Sequence, residues 1–173
     1  EIYCKPHYLV KLAENIDEAG KDLGFQWYGA RALLSMRLEK QWGVWTLDFR
    51  PDFTLAESGL DAFIDWNKDF IGKEAAEKER RYGPKKRLVT LTIESEEIDV
   101  SNDEAILKDG EAIGYITSGG YAHYVKKSVA LGYVPTKYST PGTKLQVEIL
   151  GEMFDAEVQG APLYDPEGSR MRG

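Results

Sequence analysis

Thiol and imidazole side chains, the usual zinc ligands and nucleophile–base pairs, are few. Cys4 is the only cysteine, and His7 and His123 are the only histidines. Three scattered residues without a ligand-spacing motif do not describe a metal site. Neither histidine has a serine or cysteine neighbour in sequence that would nominate a nucleophile and its base. Other patterns bear on binding instead. Trp42 and Trp45, with Trp27 and Tyr28 nearby, could wall a flat aromatic ligand, although clustered aromatic residues ordinarily form core and that is the expectation here. The basic run Lys78, Arg80, Arg81, Lys85, Lys86 and Arg87 has the charge to hold an anion. Glu77 and Glu79 interrupt it, which favours a solvated helix and linker. Thr117-Ser118-Gly119-Gly120 lacks the lysine and the spacing of a phosphate loop, so a tight turn is expected there.

The elements that hold these residues follow from periodicity. Glu1-Ile2-Tyr3-Cys4 reads as a strand. Pro6 suits the first turn of a helix, Leu9, Leu12, Ala13 and Ile16 recur at helical spacing, and Gly20 is a natural stop. A second helix is predicted from about Gly29 to Glu39. Its apolar positions Ala30, Leu33 and Leu34 place Arg37 on the same stripe. An arginine on an inward face needs a carboxylate, and Asp48 and Glu57 are the candidates. An irregular segment from Asp48 to Ser58 and a short helix from roughly Gly72 to Arg81 come next, and Tyr82 to Lys86 reads as a linker broken by Gly-Pro.

Beyond Lys86 the period changes to two. Leu88, Thr90 and Thr92 alternate with Val89, Leu91 and Ile93. Asp109-Gly110 has the sequence of a hairpin turn. Three more strands are expected, from Val129 to Val134, Leu145 to Leu150 and Met153 to Val158, the last two joined at Gly151-Glu152. Five or six short antiparallel strands in about eighty residues indicate a small barrel or sandwich. The fold class is therefore α+β, with a half-domain ahead of a complete β-domain.

Composition narrows the classes. At 173 residues the chain suits one ample domain or two small ones, and its 42% hydrophobic and 29% charged residues are ordinary for a globular protein. With 22 basic and 29 acidic residues its net charge is −7, which argues against a nonspecific nucleic-acid binder. No apolar run approaches the roughly 20 residues that span a bilayer, so no membrane partner is expected. A single cysteine excludes an internal disulfide and fits a reducing compartment. The expectation is cytoplasmic, or mitochondrial matrix in a eukaryote.

The run from Gly110 to Pro135, GEAIGYITSGGYAHYVKKSVALGYVP, continues into TPGTKLQVEILGEMFDAEVQGAPLYD, Thr140 to Asp165. This succession resembles the C-terminal domain of the aminomethyltransferase family, the T-protein of the glycine cleavage system and its relatives. SMRLEKQWGVW (Ser35 to Trp45) and DFIGKEA (Asp69 to Ala75) look most like the folate-binding portion of dimethylglycine and sarcosine dehydrogenases. The resemblance implies residues 1–82 as the C-terminal part of a folate-binding domain, 87–165 as an antiparallel β-barrel domain and 166–173 as a tail. It also implies that the chain is a C-terminal piece, because the family carries a glycine-rich hairpin ending in a glutamate just before this point. That glutamate aligns with Glu1.

Tetrahydrofolate is the cofactor the resemblance implies, and FAD would belong to an upstream domain. A pterin presents two adjacent donors that one carboxylate accepts together, and Glu1 stands at the family position for that contact. Ile2 and Tyr3 would flank the ring, Tyr3 by stacking unless it is a core aromatic. Arg31 resembles the arginine that T-proteins place on the ligand's anionic side, with a surface ion pair as its other reading. Trp42 is a candidate wall. Tyr164 lies near the family's folate tyrosine at a different spacing. The basic run would suit a polyglutamate tail.

No catalytic residue is expected in this piece, since the family's acid–base aspartate lies in the N-terminal half. The function implied is formation of 5,10-methylenetetrahydrofolate from the one-carbon unit of an N-methyl amine or its iminium. A glycine-cleavage aminomethyltransferase and a folate-dependent demethylase are the alternatives within the fold. A non-catalytic folate-sensing or interaction module is the alternative of another class.

Overall fold

The computed structural model describes residues 2–172, apart from the side chain of residue 171. It divides into two compact units, residues 1–33 and 34–173. No helix among the described residues is long and apolar enough to cross a membrane.

In the first unit Pro6 opens a 3-10 turn, Pro6–Tyr8, that runs into helix α1, Leu9–Gly20. Leu12, Ala13 and Ile16 are half-buried along the predicted stripe. α1 ends at Gly20 as expected, but the left-handed residue that turns the chain is Gly24, with φ of 70°, after a further 3-10 turn at Lys21–Leu23. Gly20 serves another purpose. A Cβ there would sit 2.4 Å from the Cβ of Phe25, so the missing side chain lets the chain fold back on α1. The Phe25 N–H then donates to the Gly20 carbonyl at 3.1 Å, and Trp27 Nε1 donates to Asp17 Oδ1 at 3.3 Å. Residues 2–5 form no helix or strand. The expected strand there has no ladder partner among the described residues, and a strand without one is not stable. Glu1 lies outside the described residues.

Helix α2, Ala30–Glu39, begins in the first unit and ends in the second. A loop of turns leads to α3, Lys73–Tyr82, which Gly83 and the buried Pro84 terminate. Six strands follow: β1 Lys86–Ile93, β2 Ala105–Lys108, β3 Glu111–Ala122, β4 Lys127–Pro135, β5 Lys144–Ile149 and β6 Glu152–Gln159. They close into a barrel in the order β1-β4-β3-β2-β5-β6, every pair antiparallel. Closure removes the sheet edges and decides for the barrel over the sandwich.

The period of two sends Leu91, Ile93, Ile106, Ile116, Val147 and Val158 to the interior, where each is nearly inaccessible. β5 shows the alternation most cleanly, with Leu145, Val147 and Ile149 buried between more accessible polar residues. Asp109 and Gly110 form the two-residue β2–β3 turn, with φ of 53° and 82°. The β5–β6 turn uses Leu150 and Gly151, at 51° and 85°, one residue earlier than expected.

Thr117 to Gly120 is not a turn but the middle of β3, with a register shift between Ile116 and Ser118. Its glycines signal close approach instead. A Cβ on Gly119 would lie 2.8 Å from both Val100 Cγ1 and the Val100 carbonyl oxygen. Outside the barrel, Leu38 of α2 joins Ala122, Val129 and Leu131 in a second apolar cluster with Leu88, Val125 and Leu163. That cover explains why residues 89–93 of β1 are buried on both faces.

Candidate functional site

The end of α2 is the structural centre of the second unit, because consecutive residues tie it to separate elements. Arg37 and Asp48 are both buried, at 5% and 0% exposure, and Arg37 NH1 donates to Asp48 Oδ2 at 3.0 Å. The sequence offered Asp48 or Glu57, and the structure selects Asp48. Glu57 instead accepts the Thr54 N–H at 3.2 Å.

Asp48 has its remaining acceptor positions filled. Val44 N–H donates to Oδ2 at 2.9 Å, while Thr117 and Ser118 hydroxyls donate to Oδ1 at 2.5 and 2.7 Å. Burial pushes the Arg37 guanidinium below its ordinary pKa, and the Asp48 charge and hydrogen bond oppose that shift. Tyr133 completes the node, donating to the Asp48 carbonyl at 3.0 Å. Its phenol is pushed up to about 12, by burial first, against the favourable contact with Ser58. This node leaves Arg37 Nε buried without a hydrogen-bond partner among the described residues. It anchors the loop that carries Trp42 and Trp45.

Glu39 is equally buried, at 4% exposure. Its Oε1 accepts the N–H groups of Tyr124 and Val125 at 2.7 and 3.3 Å, and its carbonyl accepts the Tyr164 N–H at 3.0 Å. Lys40 Nζ donates to the Asp165 carbonyl at 2.6 Å and reaches Oδ2 at 3.4 Å. Sequence reading missed both residues. RLEK marks them only as the end of a helix, and their partners lie some 85 and 125 positions away.

The candidate ligand residues fall in two places. Ile2, Tyr3 and Arg31 belong to the first unit, and all three are exposed. Arg31 makes no ion pair among the described residues, so its surface salt-bridge reading is not supported. Tyr3, at 88% exposure, is not a core aromatic in this chain. Trp42 and Tyr164 belong to the second unit. Trp42 lines a hollow of about 200 Å3 with Lys40, Pro162, Pro166 and Arg172. Tyr164 packs edge-on against Tyr124 at 4.5 Å, with Lys40 Nζ 6.0 Å and the Arg170 guanidinium 5.9 Å from its ring. Lys40 is therefore common to Trp42 and Tyr164.

The expectation that the clustered aromatics are core is overturned. Trp27, Tyr28, Trp42 and Trp45 are all more than half exposed. Neither unit supplies a second apolar layer over these rings. The basic run does not form one anion site either. Arg80 lies over the Trp66 ring at 4.7 Å and Lys86 over Phe53 at 5.9 Å. Lys78, Arg80 and Lys85 border a separate hollow of about 630 Å3 between α3 and residues 54–66, where Glu57, Asp61 and Glu79 balance them. Among the described residues, no group of three or more His, Cys, Asp or Glu could hold a metal ion.

The architecture of the chain is a helical unit followed in sequence by a closed six-stranded antiparallel barrel. Residues 86–165 match the glycine cleavage T-protein C-terminal barrel domain, and residues 1–68 match the GCVT N-terminal domain. The chain belongs to the glycine cleavage T-protein family. It is 36% identical to the mitochondrial dimethylglycine dehydrogenase of Homo sapiens over 99% of its length, spanning 20% of that protein. It is 34% identical to an aminomethyltransferase of Desulfitobacterium hafniense over 97% of its length, spanning 46% of that protein. A solved structure, the glycine cleavage system aminomethyltransferase T of Bartonella henselae, superposes with a TM-score of 0.81 at 26% identity, covering 91% of this chain and 45% of the other. The chain thus spans half or less of the relatives it matches.

Proposed function

We propose that this chain is the folate-binding portion of a dimethylglycine or sarcosine dehydrogenase-like protein, and that the whole protein forms 5,10-methylenetetrahydrofolate. The observation that carries this is the match over 99% of the chain to dimethylglycine dehydrogenase, in a fold shared with aminomethyltransferases. In such a protein a flavin domain outside these residues would oxidise an N-methyl amine to an iminium, and the folate amine would capture the one-carbon unit.

The protein's task at this site is to bind, orient and exclude water. Glu1 would accept the two pterin donors, Ile2 and Tyr3 would flank the ring, and Arg31 would face the ligand's carboxylates. Trp42 and Tyr164 are the candidate contacts in the second unit. On this reading the acid–base aspartate expected from the family would lie outside these residues. The similarity to the Desulfitobacterium aminomethyltransferase supports a second reading, transfer between folate and a carrier-bound aminomethyl group.

Titration with 5-formyltetrahydrofolate, followed by tryptophan fluorescence and repeated on Glu1→Gln, tests the proposal. Saturable binding that the substitution weakens by about 1–3 kcal/mol supports it. No binding by this chain, and none by a longer chain that includes the preceding hairpin, would refute it and leave an interaction module in the same fold.

A further inference from the structure

The closing segment from Pro162 to Gly168 has neither helix nor strand to hold it. Polar contacts from α2 and from within the segment converge on it instead. Glu39 accepts the Tyr164 N–H at 3.0 Å. Asp165, in the left-handed region at φ of 44°, offers its carbonyl to both Lys40 Nζ at 2.6 Å and the Gly168 N–H at 2.9 Å. Its carboxylate takes Ser169 Oγ at 3.0 Å on one oxygen and faces Lys40 on the other at 3.4 Å. The Lys40 and Asp165 side chains are 12% and 6% exposed. A lysine this covered, reaching a carbonyl and a carboxylate of one residue, costs desolvation that a free surface lysine avoids. Neighbouring Glu39 secures the β3–β4 hairpin, so two adjacent residues at the end of α2 fix both the hairpin and the segment that packs on it.

We propose that Lys40 is a positioning residue, a latch that holds the closing segment against the end of α2 and thereby sets Tyr164 and the hollow beside Trp42. This rests on the folate reading of Trp42 and Tyr164. Lys40 itself need not touch the ligand. Methionine at this position keeps the apolar stem and loses both polar contacts, whereas arginine retains the charge and the reach.

The test compares wild type, Lys40→Met and Lys40→Arg in the full chain, using amide hydrogen exchange and titration with 5-formyltetrahydrofolate. Lys40→Met is expected to exchange the Tyr164 and Gly168 amides about tenfold faster while Leu91 and Val147 in the barrel keep their protection. It is expected to weaken ligand binding about tenfold, and Lys40→Arg is expected to recover both. Unchanged exchange in Lys40→Met, or failure of Lys40→Arg to recover it, would overturn the latch. A freed segment with unchanged affinity would overturn the positioning role. A freed segment in a chain whose wild type binds no folate would sustain the latch and refute the folate reading, so the two failures are separable.

Discussion

Residues 2–33 and the barrel use apolar side chains in opposite ways. In the first unit only Gly20 is buried among the described residues, and Ile2, Tyr3, Leu9, Val10, Leu23 and Trp27 are exposed. In the barrel, Leu91, Ile106, Ile116 and Val147 are almost fully inaccessible. A barrel closes its sheet on itself and needs no second layer, whereas an amphipathic helix and a return loop need another surface to bury their stripe. Local contacts, such as Phe25 against Gly20 and Trp27 against Asp17, give the first unit its shape without giving it a core. Its candidate ligand residues are exposed, whereas Thr117, Ser118 and Tyr133 of the barrel are engaged in holding Asp48.

The sharpest way to break that contrast is at the buried pair. Asp48→Ala leaves the Arg37 guanidinium and the Thr117, Ser118 and Val44 donors without their acceptor, and should cost about 3–5 kcal/mol in denaturant unfolding. A smaller change at Asp48 would mean that the node is open to water. Ile106→Ala should follow at about 2–5 kcal/mol, while Ile16→Ala, on a half-buried stripe, should cost less than about 1 kcal/mol. Equal losses would erase the distinction between the two regions.

Gly114→Ala tests how closely the barrel strands pack. Its Cβ would fall 1.9 Å from the Tyr133 carbonyl oxygen, so β3 and β4 must separate. About 1–3 kcal/mol is expected, again from denaturant unfolding. The smallest effect concerns pH. Burial opposes ionisation of Asp165, but hydrogen bonds from Ser169, the Arg170 N–H and Lys40 outweigh it and hold the carboxyl below its ordinary range. Its stabilisation is therefore complete above the unfolded value of about 3.9 and is lost as pH falls through the lower folded value. Exchange at Gly168 should rise in that acid window before the barrel amides respond.

Much of this was legible in residue order. Helical spacing located α1 and α2, and the Arg37 stripe correctly demanded a buried carboxylate. The period of two located the barrel strands, and Asp109-Gly110 marked its turn. The misses share a cause, since each depends on what a distant segment supplies. Thr117 to Gly120 looked like a turn because glycine also marks a strand crossed at close range, here by Val100. Trp42 and Trp45 looked like core because burial is decided by the covering layer and not by the ring. Glu39 and Lys40 carried no signal because their partners are the β3–β4 hairpin and the closing segment. The strand expected at Glu1 to Cys4 has no ladder partner among the described residues.

Hydrogen exchange of the full chain with and without 5-formyltetrahydrofolate addresses the central claim most directly. Ligand-dependent protection around Tyr3, Arg31 and Trp42, with the barrel interior unchanged, is the predicted result. Protection confined to the hollow between α3 and residues 54–66, or no protection anywhere at saturating ligand, would contradict it.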